Sequence, residues 1–277
     1  MADWTGPGGP NQADNPVNPP DAVKDSSPAA VAALVARLVA AGRAAGCRAE
    51  TFGDVAGVPL LALTRPAAHG RPRVYLSAGI HGDEPAPPQA LLELLGAGFF
   101  DDACSWFLCP VLNPGGLARG TRENPEGLDL NRDYRSRASG EVRSHVAWLE
   151  RQPPFDLTLC LHEDWEARGF YLYELNPDRR PGLAEPTVAA VRPICPIDEA
   201  GVIDGRPARG GIIRPDGDPA RRDRWPEAIY LHAHHTRLSY TLETPSGRPL
   251  AERVAALRAA VGAARDALLQ DAPPPRV

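Results

Sequence analysis

A histidine and a glutamate follow a hydrophobic run at a spacing that suits a metal ion. The apolar run 73–80 leads to His81, Glu84 follows shortly after, and Pro85 then begins a helix-like stretch. An imidazole nitrogen and a carboxylate oxygen are ligands that Zn2+ prefers, and open α/β sheets bind ligands at strand ends. The pair alone is weak evidence, because both residue types also suit a polar strand end and a helix N-terminus.

A second histidine follows the next strongly apolar run. His162 comes directly after 155–161. With His81 and Glu84 it would complete a His-Glu-His set whose fourth position is left to water, as in catalytic zinc sites. Glu163 and Asp164 come next and are alternatives to Glu84. The sequence therefore predicts a metal site and leaves its carboxylate ligand open among the three acidic residues.

Charged residues elsewhere could assist a metal-dependent hydrolysis. Glu243 ends an alternating run at 238–242, and beside a metal it could take a proton from water and pass it to a leaving amine. Arg122 and Arg132 lie in a Gly-rich loop between strands, where guanidinium groups offer paired donors to a carboxylate or an oxyanion. Loop solubility is the competing explanation for these arginines.

Apolar β-rich runs alternate with helical patterns, which predicts an α/β fold with a mixed, mostly parallel central sheet flanked by helices. The predicted strands are 58–64, 73–80, 106–112, 157–161, 170–175, 229–233 and 238–242. The predicted helices are 28–46, 85–95, 140–151, 186–191 and 250–269. Long loops at 112–139 and 193–227 are expected to carry the functional site.

Composition limits the protein's environment. Residues 1–26 hold five prolines and few aliphatic side chains, which predicts a flexible tail before one catalytic domain at 27–277. A net charge of −5 with interspersed signs argues against nucleic acid as a partner. The chain shows neither an export signal nor a long apolar run, which predicts a cytoplasmic protein without membrane contact. The five cysteines are predicted to be buried thiols in a reducing compartment.

The four motifs, in this order, resemble the zinc metallocarboxypeptidases typified by pancreatic carboxypeptidase A, in the compact form found in bacteria. Those proteins combine a His-x-x-Glu motif, an Asp-x-Asn-Arg motif, a later histidine and a glutamate near the C-terminus. The resemblance implies one Zn2+ bound by His81, Glu84 and His162, with Glu243 as general base and acid. The substrate would be a peptide with a free terminal carboxylate.

The resemblance also implies roles for residues of the loop at 112–139. Arg122 would polarise the scissile carbonyl, and Asn131 and Arg132 would bind the terminal carboxylate. Asp129 would accept a hydrogen bond from His81 and fix its tautomer. Tyr230 is the candidate for a mobile tyrosine that the family places before the catalytic glutamate.

Two departures from the family pattern bear on the substrate. Glu163-Asp164-Trp165 stand where the family has Ser-Tyr, which predicts a more acidic subsite beside the metal. Arginines crowd the loop before the last strand and could favour an acidic side chain or a second carboxylate on the substrate. These arginines are Arg221, Arg222 and Arg224.

Three alternatives stay open. The succinylglutamate desuccinylases and aspartoacylases, which cleave N-acyl amino acids, share His-Gly-x-Glu and Asp-Leu-Asn-Arg with this chain, but they carry a β-rich domain after the catalytic glutamate. Here one predicted helix follows Glu243, which favours the peptidase. A non-catalytic binding protein on the same fold is the second alternative. The third concerns His232, His234 and His235, which either bind a second metal or flank the pocket.

Overall fold

A mixed β-sheet runs through the part of the chain that the computed structural model describes, residues 27–55, 57–180 and 182–271. Its strands are β1 (Arg48–Val55), β2 (Val58–Arg65), β3 (Arg73–Ser77), β4 (Ser105–Cys109), β5 (Leu157–Asp164), β6 (Tyr171–Leu175), β7 (Val202–Ile203), β8 (Arg206–Arg209), β9 (Ile212–Ile213) and β10 (Ser239–Pro245). The predicted flexible tail at 1–26 lies outside the described residues.

The sheet is parallel at its centre and mostly antiparallel towards its edges, with one further parallel pair between β6 and β9. The strand order is β1-β2-β4-β3-β5-β10-β6-β9-β8-β7. The central strands β4, β3, β5 and β10 are parallel to their neighbours within this group, whereas β2 and β6 join it antiparallel. The predicted α/β class is confirmed, and parallel pairing is concentrated in the centre. Because β3, β5 and β10 run in one direction, their carboxyl ends meet at one edge.

Helices cover both faces of this sheet. They are α1 (Pro28–Ala44), α2 (Ala86–Gly96), α3 (Pro114–Leu117), α4 (Gly140–Leu149), α5 (Ala184–Val191), α6 (Glu227–His234) and α7 (Leu250–Asp271). Helices α1, α2, α5 and α7 pack into one hydrophobic core, and α4 and α6 contribute to a second core on the other face. Burial on both faces explains why the first five residues of β5, Leu157–Leu161, are mostly apolar.

One predicted strand is wrong. Residues 229–233 belong to helix α6, which begins directly after Pro226. A short apolar run fits a strand and a buried helix equally well. The helical spacing from Glu227 to Tyr230 and Leu231 is what puts these three side chains on one buried face.

The predicted long loops also contain regular structure. The loop at 193–227 holds the short strands β7, β8 and β9, and the loop at 112–139 holds α3 and a 3-10 turn at Leu130–Arg132. The sequence did not predict β1, since its polar residues are mostly exposed or half-buried. Short or polar edge strands give little hydrophobic periodicity, and that periodicity is what a sequence prediction relies on.

The structure bears on the predictions about the cysteines and about the membrane. All five cysteines are unpaired and buried, as expected. Among the described residues, no helix combines the length and apolarity that crossing a bilayer requires. The reducing compartment and the cytoplasmic location stay predictions.

A buried ion pair joins the sheet to helix α7. Arg253 Nη1 contacts Glu163 Oε2, and both side chains are at most 2% exposed. The second carboxylate oxygen of Glu163 accepts a hydrogen bond of 2.6 Å from the backbone N–H of Ala86. One carboxylate therefore connects β5, the start of α2 and α7.

We expect Arg253→Met to lower the free energy of unfolding by about 3 kcal/mol or more, because it leaves the Glu163 carboxylate buried without its cation. Urea unfolding measures the change. Arg192→Met is the matched control, since Arg192 pairs with Glu199 at the surface and should cost less than about 1 kcal/mol. Equal losses for the two variants would contradict the assigned role of the buried pair.

Candidate active site

The predicted metal ligands lie together at the carboxyl edge of the sheet. His81 Nδ1 is 2.5 Å from Glu84 Oε1, and His162 Nδ1 is 3.0 Å from Glu84 Oε2. One ligand atom from each side chain lies within 4.8 Å of the others. All three residues are at most 3% exposed. Two imidazoles and a carboxylate in this arrangement fit the donor set of a divalent metal site with an open position.

A close backbone contact positions the first of these ligands. His81 lies in the turn after β3, and a Cβ on the neighbouring Gly82 would fall 1.9 Å from the carbonyl carbon of Gly116 in α3. Only glycine therefore allows α3 to pack against this turn. The Asn113 side chain holds the start of α3 by accepting from the Gly116 N–H at 2.8 Å. The sequence Asn-Pro-Gly-Gly is thus part of the support of His81.

The acidic residues beside His162 point elsewhere. His162 lies within β5, which runs on to Asp164 rather than ending before the histidine. Because side chains alternate along a strand, Glu163 faces away and pairs with Arg253. Asp164 accepts from the Tyr171 hydroxyl at 2.9 Å. Glu84 is therefore the carboxylate that the fold brings to both histidines.

Neighbouring charges and hydrogen bonds within the cluster shift the pKa values of its members. Burial alone would raise the pKa of Glu84, but His81 and His162 outweigh it and hold that pKa well below its usual range. Burial alone would lower the pKa of His81, whereas Glu84 and Asp129 raise it above the ordinary value. The carboxylate thus stays ionised and attracts positive charge, as the ligand set of a metal cation must.

Asp129 connects the cluster to the loop arginine. One of its carboxylate oxygens accepts from the Asn131 N–H at 2.9 Å and lies 3.3 Å from His81 Nε2. The other accepts from Arg122 Nε at 3.0 Å. Burial would raise the pKa of Asp129, but His81 and Arg122 lower it strongly. A carboxylate on the far nitrogen of His81 leaves Nδ1 available to a metal.

Glu243 lies beside His162 on the same face of the sheet. The two residues are opposite each other in the parallel pair of β10 with β5, and Glu243 is opposite Tyr171 on its other side. Burial raises the pKa of Glu243 to about 8; His162 lowers it, while Glu84 and Asp164 raise it further. A cation at the neighbouring cluster would favour the ionised form.

The Asn131–Arg132 turn lies next to Asp129. Asn131 is buried, and its Oδ1 accepts from the backbone N–H of Glu227 at 2.9 Å. Its amide NH2 therefore remains as the donor. Arg132 is exposed, and its Nη1 donates to the Asn131 carbonyl oxygen at 2.8 Å. An amide donor and a guanidinium thus lie side by side, as recognition of a carboxylate requires.

Tyr230 lies on α6 with its side chain in the second core. It is 2% exposed, and its ring packs on those of Tyr134 and His234 at centroid distances of 5.7 and 4.7 Å. These contacts hold the ring in the core, and a substrate-binding role for Tyr230 stays a prediction.

His232, His234 and His235 lie at the C-terminal end of α6. Within the described ranges they do not form a metal site of three ligands; the group found there is His81, Glu84 and His162. His232 Nδ1 and His235 Nε2 are buried without a hydrogen-bond partner there.

Sequence reasoning missed two residues near the site. Glu227 is completely buried and accepts from the hydroxyls of Tyr75 and Ser77, both at 2.7 Å. Tyr171 lies opposite Glu243. The helical spacing of Glu227 with Tyr230 was the available signal for the first, whereas pairing between strands that lie far apart in sequence hid the second.

Comparisons with known proteins agree with this geometry. Residues 70–192 match the succinylglutamate desuccinylase/aspartoacylase catalytic domain family. A candidate metallopeptidase from Shewanella amazonensis is 27% identical, with a TM-score of 0.75 over 85% of this chain and 92% of that one. A metallo-carboxypeptidase from Burkholderia cenocepacia shares the fold at a TM-score of 0.64 and 21% identity, over 85% of this chain and 68% of that one.

The chain has a metallo-carboxypeptidase-like fold. A fungal protein named Carboxypeptidase 2, from Trichophyton tonsurans, is 30% identical over 116 residues, which are 39% of this chain and 21% of that protein. The match thus spans about a fifth of the fungal relative's length. Together the comparisons confirm the resemblance inferred from the motifs and support a hydrolase of the metallopeptidase type.

We expect Asp129→Asn to weaken metal binding about 10- to 100-fold, because the neutral amide no longer holds His81 and Arg122 in place. Competition with a coloured chelator measures the affinity. Glu126→Gln removes an exposed carboxylate from the same loop and serves as the control. Unchanged affinity in Asp129→Asn would show that this carboxylate does not support the site.

Proposed function

We propose that the chain is a zinc-dependent metallocarboxypeptidase that hydrolyses an amide bond next to a free terminal carboxylate. The observation that carries the proposal is the adjacency of the His81–Glu84–His162 cluster to Glu243, which lies opposite His162 in the sheet. Two nitrogen donors and one carboxylate are a common ligand set for catalytic zinc. Bound there, Zn2+ would supply Lewis acidity that polarises a carbonyl and acidifies water.

Glu243 is the proposed general base and acid. Its carboxylate accepts the proton of the attacking water and returns it to the nitrogen of the leaving amine. The support is its position on the same sheet face as His162, opposite that residue in the parallel pair of β10 with β5. Arg122 lies within 3.3 Å of His81 and would donate to the developing oxyanion.

Asn131 and Arg132 are the proposed binding site for the terminal carboxylate. The Asn131 amide offers its NH2, and the Arg132 guanidinium is exposed to the solvent side of the site. Charge-assisted hydrogen bonds to a carboxylate would fix the end of the substrate and place the amide bond before Glu243.

One arginine of the crowded loop is the best candidate to select the substrate side chain. Arg222 is half-buried, whereas Arg221 and Arg224 are exposed. Burial lowers the pKa of Arg222, and the guanidinium groups of Arg206 and Arg132 lower it further. An anionic group on the substrate would relieve this repulsion, which supports a preference for an acidic terminal residue.

The second candidate function is deacylation of an N-acyl amino acid, which the family match at 70–192 favours. Both functions use the same metal cluster and both need a carboxylate near the scissile amide. A parallel assay of C-terminal dipeptides, cell-wall tripeptides and N-acyl amino acids separates them, with glutamate and glutamine versions of each. Exclusive cleavage of the N-acyl compounds would replace the peptidase with the deacylase.

We expect Glu243→Gln to lower kcat by about 100-fold or more, because the amide cannot accept the proton of the attacking water. Elemental analysis should show the same metal content as in the wild type. Glu166→Gln, at an exposed position after β5, is the control and should keep the wild-type rate. Wild-type activity of Glu243→Gln on every substrate would contradict a catalytic role for Glu243.

We expect Arg132→Ala to raise KM for a free-acid substrate about 30-fold or more, since it removes the charged partner of the carboxylate. The KM for the same peptide with a C-terminal amide should rise much less. Arg132→Lys keeps the charge but not the paired donors, so its KM for the free acid should lie between those of the wild type and Arg132→Ala. If the wild type cleaves the amide as fast as the acid, the requirement for a terminal carboxylate is wrong.

A further inference from the structure

A ring of buried hydrogen bonds lies beneath the turn that carries Asn131 and Arg132. The Tyr75 hydroxyl is 2.7 Å from Glu227 Oε1 and 2.9 Å from His145 Nε2. The Tyr134 hydroxyl is 2.7 Å from His145 Nδ1. The backbone N–H of Glu227 donates to Asn131 Oδ1 at 2.9 Å, and Asn131 and Tyr134 belong to one turn, which closes the ring.

The hydroxyl hydrogens define the direction of these hydrogen bonds. The Tyr75 hydroxyl donates to Glu227 Oε1, so it must accept from His145 Nε2–H. His145 Nδ1 is then free to accept from the Tyr134 hydroxyl. Burial lowers the pKa of His145 to about 3, which agrees with a neutral ring that carries a single proton. Each of these donors therefore has one defined acceptor, and the ring has one arrangement.

Glu227 is an unusual residue to find in this core. It is 0% exposed, and none of the described residues forms an ion pair with it. Its second oxygen accepts from Ser77 Oγ at 2.7 Å. Burial raises its pKa, and the two hydroxyl donors oppose that rise. The Cys160 thiol is a further donor, and a buried carboxylate held by hydroxyl and thiol donors is costly compared with an apolar side chain.

The orientation of the Asn131 amide depends on Glu227. Because Oδ1 accepts from the Glu227 N–H, the amide NH2 is left for the substrate carboxylate. A flipped amide would present oxygen to that carboxylate and repel it. The Glu227 N–H is the first of α6, and its position is fixed by the anchoring of the same residue's carboxylate on Tyr75 and Ser77.

We propose that Glu227 is a positioning residue, whose carboxylate is anchored on β3 and whose N–H holds the Asn131 amide with its donor side towards the substrate carboxylate. The inference rests on the proposed function for its substrate. Tyr75 and Ser77 lie on the strand that leads to His81, so one carboxylate would align the carboxylate-binding turn with the metal cluster.

Kinetics of Glu227→Ala on free-acid and amide-blocked peptides test the proposal. We expect KM for the free acid to rise about tenfold, kcat to change less than about threefold, and preference for acid over amide to fall. Glu227→Gln keeps one acceptor and should recover part of the loss. If Glu227→Ala does not fold, Ser77→Ala and Tyr75→Phe each remove one anchor and should shift KM in the same direction.

Glu174→Ala is the matched control. Glu174 is also buried and also accepts from a tyrosine hydroxyl, that of Tyr240, at 2.7 Å. It lies on β6 with Arg214 as a second partner. We expect its loss to lower stability while leaving KM and the acid preference at wild-type values. An equal rise in KM for Glu174→Ala would overturn the proposal, because the effect would then be general destabilisation.

A crystal structure of Glu227→Ala gives a readout that does not depend on activity. We expect the Asn131 turn to be displaced, or its hydrogen bond to the N–H of residue 227 to be lost. An intact hydrogen bond together with an unchanged KM would overturn the proposal. A wild type that hydrolyses no substrate, combined with a displaced turn in the variant, would refute the proposed function while supporting the positioning role of Glu227.

Discussion

The site is organised around one carboxylate, Glu84, held between two imidazoles where water is largely excluded. A buried charge must be paired, and both oxygens of Glu84 meet a histidine nitrogen. This contact requires the turn after β3 and the end of β5 to lie side by side. Parallel pairing of β3 with β5 provides that neighbourhood, and the pairing of β10 with β5 adds Glu243 to the same edge.

The loop residues act through this centre rather than independently of it. Asp129 contacts His81 and Arg122 at once, and its N–H partner Asn131 is itself held by the start of α6. The loop is thus fixed at both ends, by the metal cluster and by the second core. Such support would keep the proposed catalytic groups within the narrow geometry that hydrolysis needs.

His81, His162 and Glu243 could be predicted as site residues from the sequence because each follows an apolar run, and the fold class follows from the alternation of such runs. The strand pairing is what shows that these three residues meet at one edge of the sheet. The predicted strand at 229–233 was wrong because the sequence is ambiguous there. Tyr230 lies on a helix whose short apolar run also fits a strand. Helical spacing could have indicated that Glu227 shares the buried face of Tyr230. Its hydrogen bonds could not be predicted, because its partners on β3 are remote in sequence and only tertiary packing joins them.

Anomalous X-ray diffraction at the zinc edge, from crystals grown without added chelator, tests the central claim most directly. We expect a single strong peak at about 2.0–2.2 Å from His81 Nδ1, His162 Nδ1 and the Glu84 carboxylate. A peak at the His232, His234 and His235 cluster instead, or none after soaking with Zn2+, would contradict it.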